Sequence, residues 1–382
     1  MKILHTSDWH LGRHLHGQDL EEDHEVILEQ VIAAVRSHKP AVLIIAGDIF
    51  DRAAPSASAV RQFNRFLSRL SAESQTAVVL IAGNHDSGDR IGAMAALADQ
   101  SRALIGGPIN SPVAPLIVQD DSGPVAFSAL PFAQEFIARQ HFGDLEISEP
   151  ADVLKAQIEA AREHVPEGVR WVITAHAFVK GGTPSESERN LAVGGIETVP
   201  AETFAGAHYV ALGHLHRPQS AGADHIRYSG APLAFGFDEA STEKSMTLVD
   251  LDGAGNAALQ FIPFKPLRRL VVVEGELEDI LIEGASVSSE DFIKVILTDE
   301  SPLIDPMKRV REVYPNALQL IYRREVERID DAGDKQLTAS VDEPIEVIRE
   351  FFLHARKEAV RPQELKLITD ALAELQNREA QS

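Results

Sequence analysis

The 382-residue chain contains no cysteine. No disulfide framework and no thiolate metal site can form, and the composition fits a reducing compartment. Residues 1–10 lack a basic-then-apolar leader, and no apolar run reaches the ~18 residues of a membrane span, so a cytoplasmic protein without membrane association is expected. Basic residues are also scarce: 36 Lys and Arg stand against 58 Asp and Glu, a net charge of −22. A free-standing nucleic-acid binder ordinarily shows a basic face. If this chain meets a polyphosphate, bound cations or a partner must supply much of the attraction. Aromatic residues make up only 6%, but 44% of the chain is hydrophobic. That is enough for a large core and excludes wholesale disorder.

What is present first is an alternation of strand and helix. Residues 2–6 read as a strand, and Glu22–Val35 has helical apolar spacing through Val26, Ile27, Val31, Ala34 and Val35. Ala41–Ala46 and Ala77–Ala82 are continuous apolar runs, expected for strands covered on both faces. Between them, Ser56–Leu70 carries Val60, Phe63, Phe66, Leu67 and Leu70 on one side of a helix. The fold class is therefore α/β in layers. From about Pro112 the strands alternate more and turns crowd, which implies a second sheet packed on the first. Residues 178–197 read as a long mobile loop, and Pro263–Pro266 as a boundary. Beyond it, 267–328 gives strand, helix, strand, helix, strand. Residues 344–356 and 362–377 are two amphipathic helices, with stripes at Ile345, Ile348 and Phe352 and at Leu365, Ile368, Leu372 and Leu375.

Polar motifs sit where these strands end. Asp8 and His10, Asp48, and Asn84 with His85 each follow an apolar strand; later strands lead into His176 and into His214 and His216. In α/β sheets the carboxyl edge of the strands is where sites are built. Carboxylate, imidazole and one amide oxygen suit divalent manganese, iron or zinc, with magnesium a possible substitute. Asp8 and His10, two apart in extended chain, can point to one side. Asp48 is the best shared ligand, since one carboxylate can hold two ions ~3.5–4 Å apart. Each motif alone is ordinary turn chemistry. Together, at successive strand ends, they indicate two metals, a device for attacking phosphate esters.

The set Asp8-Trp9-His10, Gly47-Asp48-Ile49-Phe50-Asp51, Gly83-Asn84-His85-Asp86, His176 and Gly213-His214-Leu215-His216 resembles the metallophosphoesterase (calcineurin-like) superfamily. Thr6–Gly12, Ala211–Pro218, Tyr228–Leu233 and Phe237–Glu239 are more closely similar to its SbcD-type nuclease subunits. The resemblance covers residues to about 265 well and the remainder less specifically. It implies a four-layer α-β-β-α sandwich over 1–265, a small α/β capping, DNA-binding domain over 266–340, and a C-terminal helical pair over 341–382. It implies that Asp8, His10, Asp48 and His216 hold one Mn2+, and Asp48, Asn84, His176 and His214 a second. His85 would act on the leaving oxygen without binding metal, and no covalent intermediate is needed. Asp51, three residues after Asp48, is a candidate to orient His85 by a carboxylate–imidazole contact. Arg52 is a candidate phosphate contact or a helix cap. Arg13, His14 and His16 are candidates to touch a nucleic-acid backbone, or else line a solvated loop.

By the same resemblance the tail helices grip an SbcC-type coiled-coil ATPase, the alternative being that they fold back on their own domain. A homodimer is expected. The activity implied is ATP-dependent 3′–5′ exonuclease on duplex ends and hairpins, and endonuclease on single strands, in DNA repair, recombination and replication. A phosphatase or cyclic-nucleotide phosphodiesterase could use the same metals, but it would not require the extension beyond Lys265. A scaffold without catalysis is disfavoured because every ligand position is filled.

Overall fold

The computed structural model describes residues 1–109, 114–188, 198–283, 290–301, 303–324 and 361. Met1–Leu320 form one compact unit and Ile321–Ser382 another. The tail helices expected over 344–377 lie outside the described residues.

The chain begins with β1 (Lys2–Thr6), a short ribbon of β2 (His14–Leu15) and β3 (Gln18–Asp19), then α1 (Glu21–His38). β4 (Val42–Ala46), α2 (Ala57–Glu73), β5 (Ala77–Ile81), α3 (Gly88–Gly92) and β6 (Ala103–Gly106) follow. The next segment supplies β7 (Leu116–Asp120), β8 (Gly123–Leu130), α4 (Glu135–Phe142), α5 (Pro150–Arg162) and β9 (Arg170–His176). After it come β10 (Tyr209–Gly213), β11 (Gln219–Ala221), β12 (Ala223–Tyr228), β13 (Ser245–Leu251) and β14 (Ala257–Pro263). One sheet has the order β14-β13-β1-β4-β5-β6, the other β11-β12-β10-β9-β8-β7. Parallel strands form the centre of each, β1-β4-β5-β6 and β8-β9-β10-β12.

Why the strands read as unbroken apolar runs is visible in β4. Val42, Ile44 and Ala46 face a core between the sheets, shared with Val79, Phe127, Val172 and Tyr209. Leu43 and Ile45 face the opposite way, onto Ile27, Val31, Phe63 and Phe66 of α1 and α2. On the second sheet Trp171, Ile173 and Val210 turn outward onto Leu154 and Ile158 of α5. Alternate side chains of one strand therefore enter two different cores, as the pleat requires. The result is α-β-β-α in four layers. Helix ends follow local rules: Ser56 caps α2 by accepting from the Ala59 N–H at 3.2 Å, and α1 carries Glu21, Glu22 and Asp23 at its positive end.

Beyond Pro266, β15 (Leu270–Gly275), α6 (Leu277–Glu283), β16 (Phe292–Leu297), α7 (Pro306–Val313) and β17 (Ala317–Tyr322) reproduce the expected order. They form a three-stranded sheet, β15-β16-β17. Leu270 and Phe292 root it in the same core as α1 and α2. No helix among the described residues is long and apolar enough to cross a membrane.

Candidate metal centre

The parallel pairing of β1 and β4 does not stop at the strand ends. Asp8 N–H donates to Gly47 O at 3.0 Å, His10 N–H to Asp48 O at 2.9 Å and Leu11 N–H to Ile49 O at 2.9 Å. Two ligand loops are thus zipped side by side. Within them Asp8, His10 and Asp48 all have left-handed backbone, with φ of 54°, 47° and 49°. Such conformations cost about 1–3 kcal/mol each and persist where surrounding structure imposes them, most often at functional sites. Trp9, between two of these residues, is the anchor. Its indole is buried edge-on against Phe63 and Phe66 of α2, and its Nε1–H donates to Thr6 Oγ1 at 3.0 Å. Each such aromatic pair adds about 0.5–1.5 kcal/mol beyond burial. The glycines of the motifs make room: a Cβ on Gly47 would stand 2.5 Å from His176 Nδ1, and one on Gly83 would overlap the Asp48 carboxylate.

The second sheet delivers the remaining groups. His176 is the last residue of β9 itself, while His214 and His216 follow β10. Asp48 Oδ2 lies 3.4 Å from His176 Nε2 and 3.6 Å from His10 Nε2. His10 Nε2 and His216 Nε2 face each other at 3.1 Å. Asn84 Oδ1 stands 2.9 Å from His176 Nε2 and 3.3 Å from His214 Nδ1. Potential ligand atoms of Asp8, His10 and His216 form one group, those of Asp8, Asp48 and His176 a second, and those of His10, Asp51 and His85 a third. Asp8 Oδ1 accepts from the His214 N–H at 2.9 Å, but its Oδ2 and His10 Nδ1 are buried without hydrogen-bond partners among the described residues.

The electrostatics are those of a cation site. Burial pushes the Asp8 carboxyl up; His176 opposes the rise and the Asp48 charge reinforces it, to about 7. Burial also acts on Asp48, but the adjacent His176 charge, with His10 and His85 behind it, holds that carboxyl well below the usual range. His176 in turn resists desolvation because Asp48 and Asp8 favour its charged form, raising it to about 9. Burial lowers His214 to about 3 and His216 to about 4, so both rings are neutral, the form that binds metal. Potential ligand atoms of Asp8, Asp48 and His176 thus converge where a divalent ion would offset the two carboxylates. Donor types, the orphaned Asp8 oxygen and neutral imidazoles all fit such ions.

The remaining candidates are distributed differently. His85 is buried, and its backbone N–H donates to Asp48 Oδ1 at 2.8 Å. Its Nδ1 lies 2.9 Å from the backbone carbonyl of Asp51. The Asp51 carboxylate is instead 3.7 Å from His10 Nδ1, so the contact anticipated between that carboxylate and His85 is made through the main chain. Arg13 is built into the protein: it stacks 4.5 Å over Phe235, sits 3.6 Å from Asp51 Oδ1 and donates to Ser187 O at 2.9 Å. Arg52 is exposed with Nε 3.7 Å from Asp51 Oδ2. His14 and His16 are exposed on the β2–β3 ribbon, His16 lying against Phe237. The geometry brings Asp51 and Arg13 to the site, whereas Arg52, His14 and His16 are exposed.

Residues 1–218 match the family described as calcineurin-like phosphoesterase. Residues 263–355 match SbcD_C, described as the type 5 capsule protein repressor C-terminal domain. The SbcD component of nuclease SbcCD from Staphylococcus epidermidis is 33% identical over 321 residues, which span 84% of this chain and 85% of that protein. The chain belongs to the SbcD family. It is accordingly a phosphodiester-hydrolysing enzyme of the nuclease-subunit type. Among solved structures, GAP50, the anchor in the inner membrane complex of Plasmodium, covers 84% of this chain and 96% of its own at 8% identity, with a TM-score of 0.41.

This SbcD-family centre also uses residues beyond the candidate ligands. Asp86 accepts from Ile49 N–H at 3.1 Å, Phe50 N–H at 2.9 Å and Gly83 N–H at 3.0 Å, tying the Asp48 loop to the Asn84 loop. Burial, followed by the Asp48 charge, lifts its carboxyl to about 7. Glu188 Oε1 accepts from the His216 N–H at 2.5 Å. Glu239 and Lys244 form a buried ion pair behind His216. The sequence signals were Asp86 closing the Gly83-Asn84-His85-Asp86 motif and Glu239 closing the Phe237–Glu239 segment; Ser187 and Glu188 sit in a turn-rich stretch without periodicity.

Proposed function

We propose that this chain is a metal-dependent DNA nuclease that works with an SbcC-type coiled-coil ATPase. It acts as an ATP-dependent 3′–5′ exonuclease on duplex ends and hairpins and as an endonuclease on single strands. The observation that carries the reading is the Asp48 carboxylate placed 3.6 and 3.4 Å from imidazoles delivered by two different sheets. Asp8, His10, Asp48 and His216 would hold one Mn2+, and Asp48, Asn84, His176 and His214 the other; iron, zinc or magnesium could substitute. When bound, such ions polarise a phosphoryl oxygen and lower the pKa of water. The protein's own part is positional. The zipped Asp8 and Asp48 loops and the Asp86 clamp fix the carboxylates, and the backbone bond from His85 to Asp48 leaves its ring free to exchange a proton with the leaving oxygen.

With a net charge of −22 the chain needs bound cations and a partner to supply much of the attraction to DNA. Ions held by the centre would neutralise phosphate locally, and the ATPase would supply the rest. On this reading 1–265 cleaves, 266–340 caps and contacts DNA, and 341–382 binds the ATPase; the protein is cytoplasmic and homodimeric. The test is digestion of end-labelled duplex and single-stranded circles with Mn2+, with and without the ATPase and ATP. A chromogenic phosphodiester serves as control. ATP-stimulated shortening of the duplex is expected; activity on the small diester alone would instead identify a phosphodiesterase or phosphatase.

A further inference from the structure

His216 is gripped more elaborately than the other histidines of the centre. Its Nδ1 lies 2.6 Å from Ser187 Oγ, and Ser187 Oγ is hydrogen-bonded to Glu239 Oε1. Ser185 Oγ donates to the same carboxylate oxygen at 3.0 Å. Lys244 binds the other oxygen of Glu239 and donates to the His216 carbonyl at 2.7 Å. The direction of these bonds follows from the groups themselves. Carboxylate oxygens only accept, so the single Ser187 hydroxyl proton points to Glu239. Ser187 Oγ is left with lone pairs for His216 and must receive the Nδ1–H. The proton is therefore on Nδ1, and Nε2 presents its lone pair toward the site, 3.1 Å from His10 Nε2.

We propose that Glu239, acting through the Ser187 hydroxyl, is a positioning residue that fixes the tautomer and orientation of His216 as an ion ligand. The inference deepens the proposed function and rests on its assignment of His216 to a metal. Outer groups of this kind typically set affinity by about 10–100-fold. The arrangement is asymmetric. His176, assigned to the other ion, leans through Nδ1 on the neutral carbonyl of Ala46 at 2.9 Å, with no carboxylate relay behind it among the described residues. Removing Ser187 or Glu239 should therefore weaken one ion and spare its neighbour.

The full-length chain, stripped by chelation, would be titrated with Mn2+ by calorimetry, and with Co2+ to follow the visible ligand-field bands. In Ser187→Ala one of two binding events should weaken by about 10–100-fold with the other unchanged, the Co2+ bands of that event shifting. Glu239→Gln should do the same, and Ser187→Thr, which keeps a hydroxyl, should restore wild-type binding. Ser187→Ala is the decisive variant because it leaves the Glu239–Lys244 pair intact, so the fold is not at risk. The proposal is overturned if Ser187→Ala keeps both affinities, or if both events weaken together. A wild-type chain that binds no ion would remove the metal reading itself, a separate and recognisable failure.

Discussion

In His85→Gln the imidazole is exchanged for an amide of similar reach that cannot relay a proton. The structure separates what this change removes from what it keeps. The bond to Asp48 comes from the His85 backbone N–H, at 2.8 Å, and is untouched by the side chain. The ring's 2.9 Å contact with the Asp51 carbonyl is lost, along with any proton transfer. A positioned general acid contributes about 10²–10⁴-fold in rate. At ~1.36 kcal/mol per factor of ten, the barrier should rise by about 3–5 kcal/mol. Ion binding should not change. The assay pairs single-turnover digestion of end-labelled duplex in Mn2+ with a calorimetric titration of the same variant. Wild-type cleavage with both ions bound would refute the assigned role. Loss of an ion would show His85 to be a ligand, for which its clustering with His10 and Asp51 provides the geometry.

Asp48→Ala, which removes the carboxylate facing both halves of the centre, should abolish both Mn2+ binding events in a calorimetric titration and all cleavage with them. Gly83→Ala should destabilise the fold by about 1–3 kcal/mol, the usual range for overpacking, because its methyl would overlap the Asp48 carboxylate; thermal unfolding checks this. His24, buried in α1, has its pKa lowered to about 4 by desolvation. Its unfolded counterpart takes up a proton as pH falls through 6.5, whereas the folded form does so only near 4. Stability should therefore fall over that window by about 3 kcal/mol relative to neutral pH. Denaturant unfolding of His24→Leu against wild type at pH 7 and 4.5 should show the variant losing less; equal losses would exclude this residue as the cause.

Much of the core was legible because β4 and β5 are covered on both faces. They can only be apolar throughout, and the first polar residue then marks the sheet edge. That is why Asp48 and Asn84 stood out without any knowledge of strand order. The helices α1 and α2 showed through their one-sided apolar spacing, and the β15–β17 module through its alternation. Ser187, Glu188, Glu239 and Lys244 were illegible for the opposite reason. Their roles arise from hydrogen bonds across distant turns, where composition looks like that of any solvated loop. The Asp51 carboxylate lies 3.7 Å from His10 Nδ1, a contact between loops that no periodicity encodes.

One consequence follows from the centre drawing its groups from both sheets. Asp8, His10, Asp48 and Asn84 come from one, and His176, His214 and His216 from the other. At this rim the bonds between them include His176 to Ala46, His214 to Asp8, and Asn84 to both His176 and His214. An ion gripped from both sides is then a rivet through the sandwich. Each site at 100-fold saturation would add about 2.7 kcal/mol against the halves coming apart. Chelators would then disarm the enzyme twice over, stopping its chemistry and loosening the frame that aligns it.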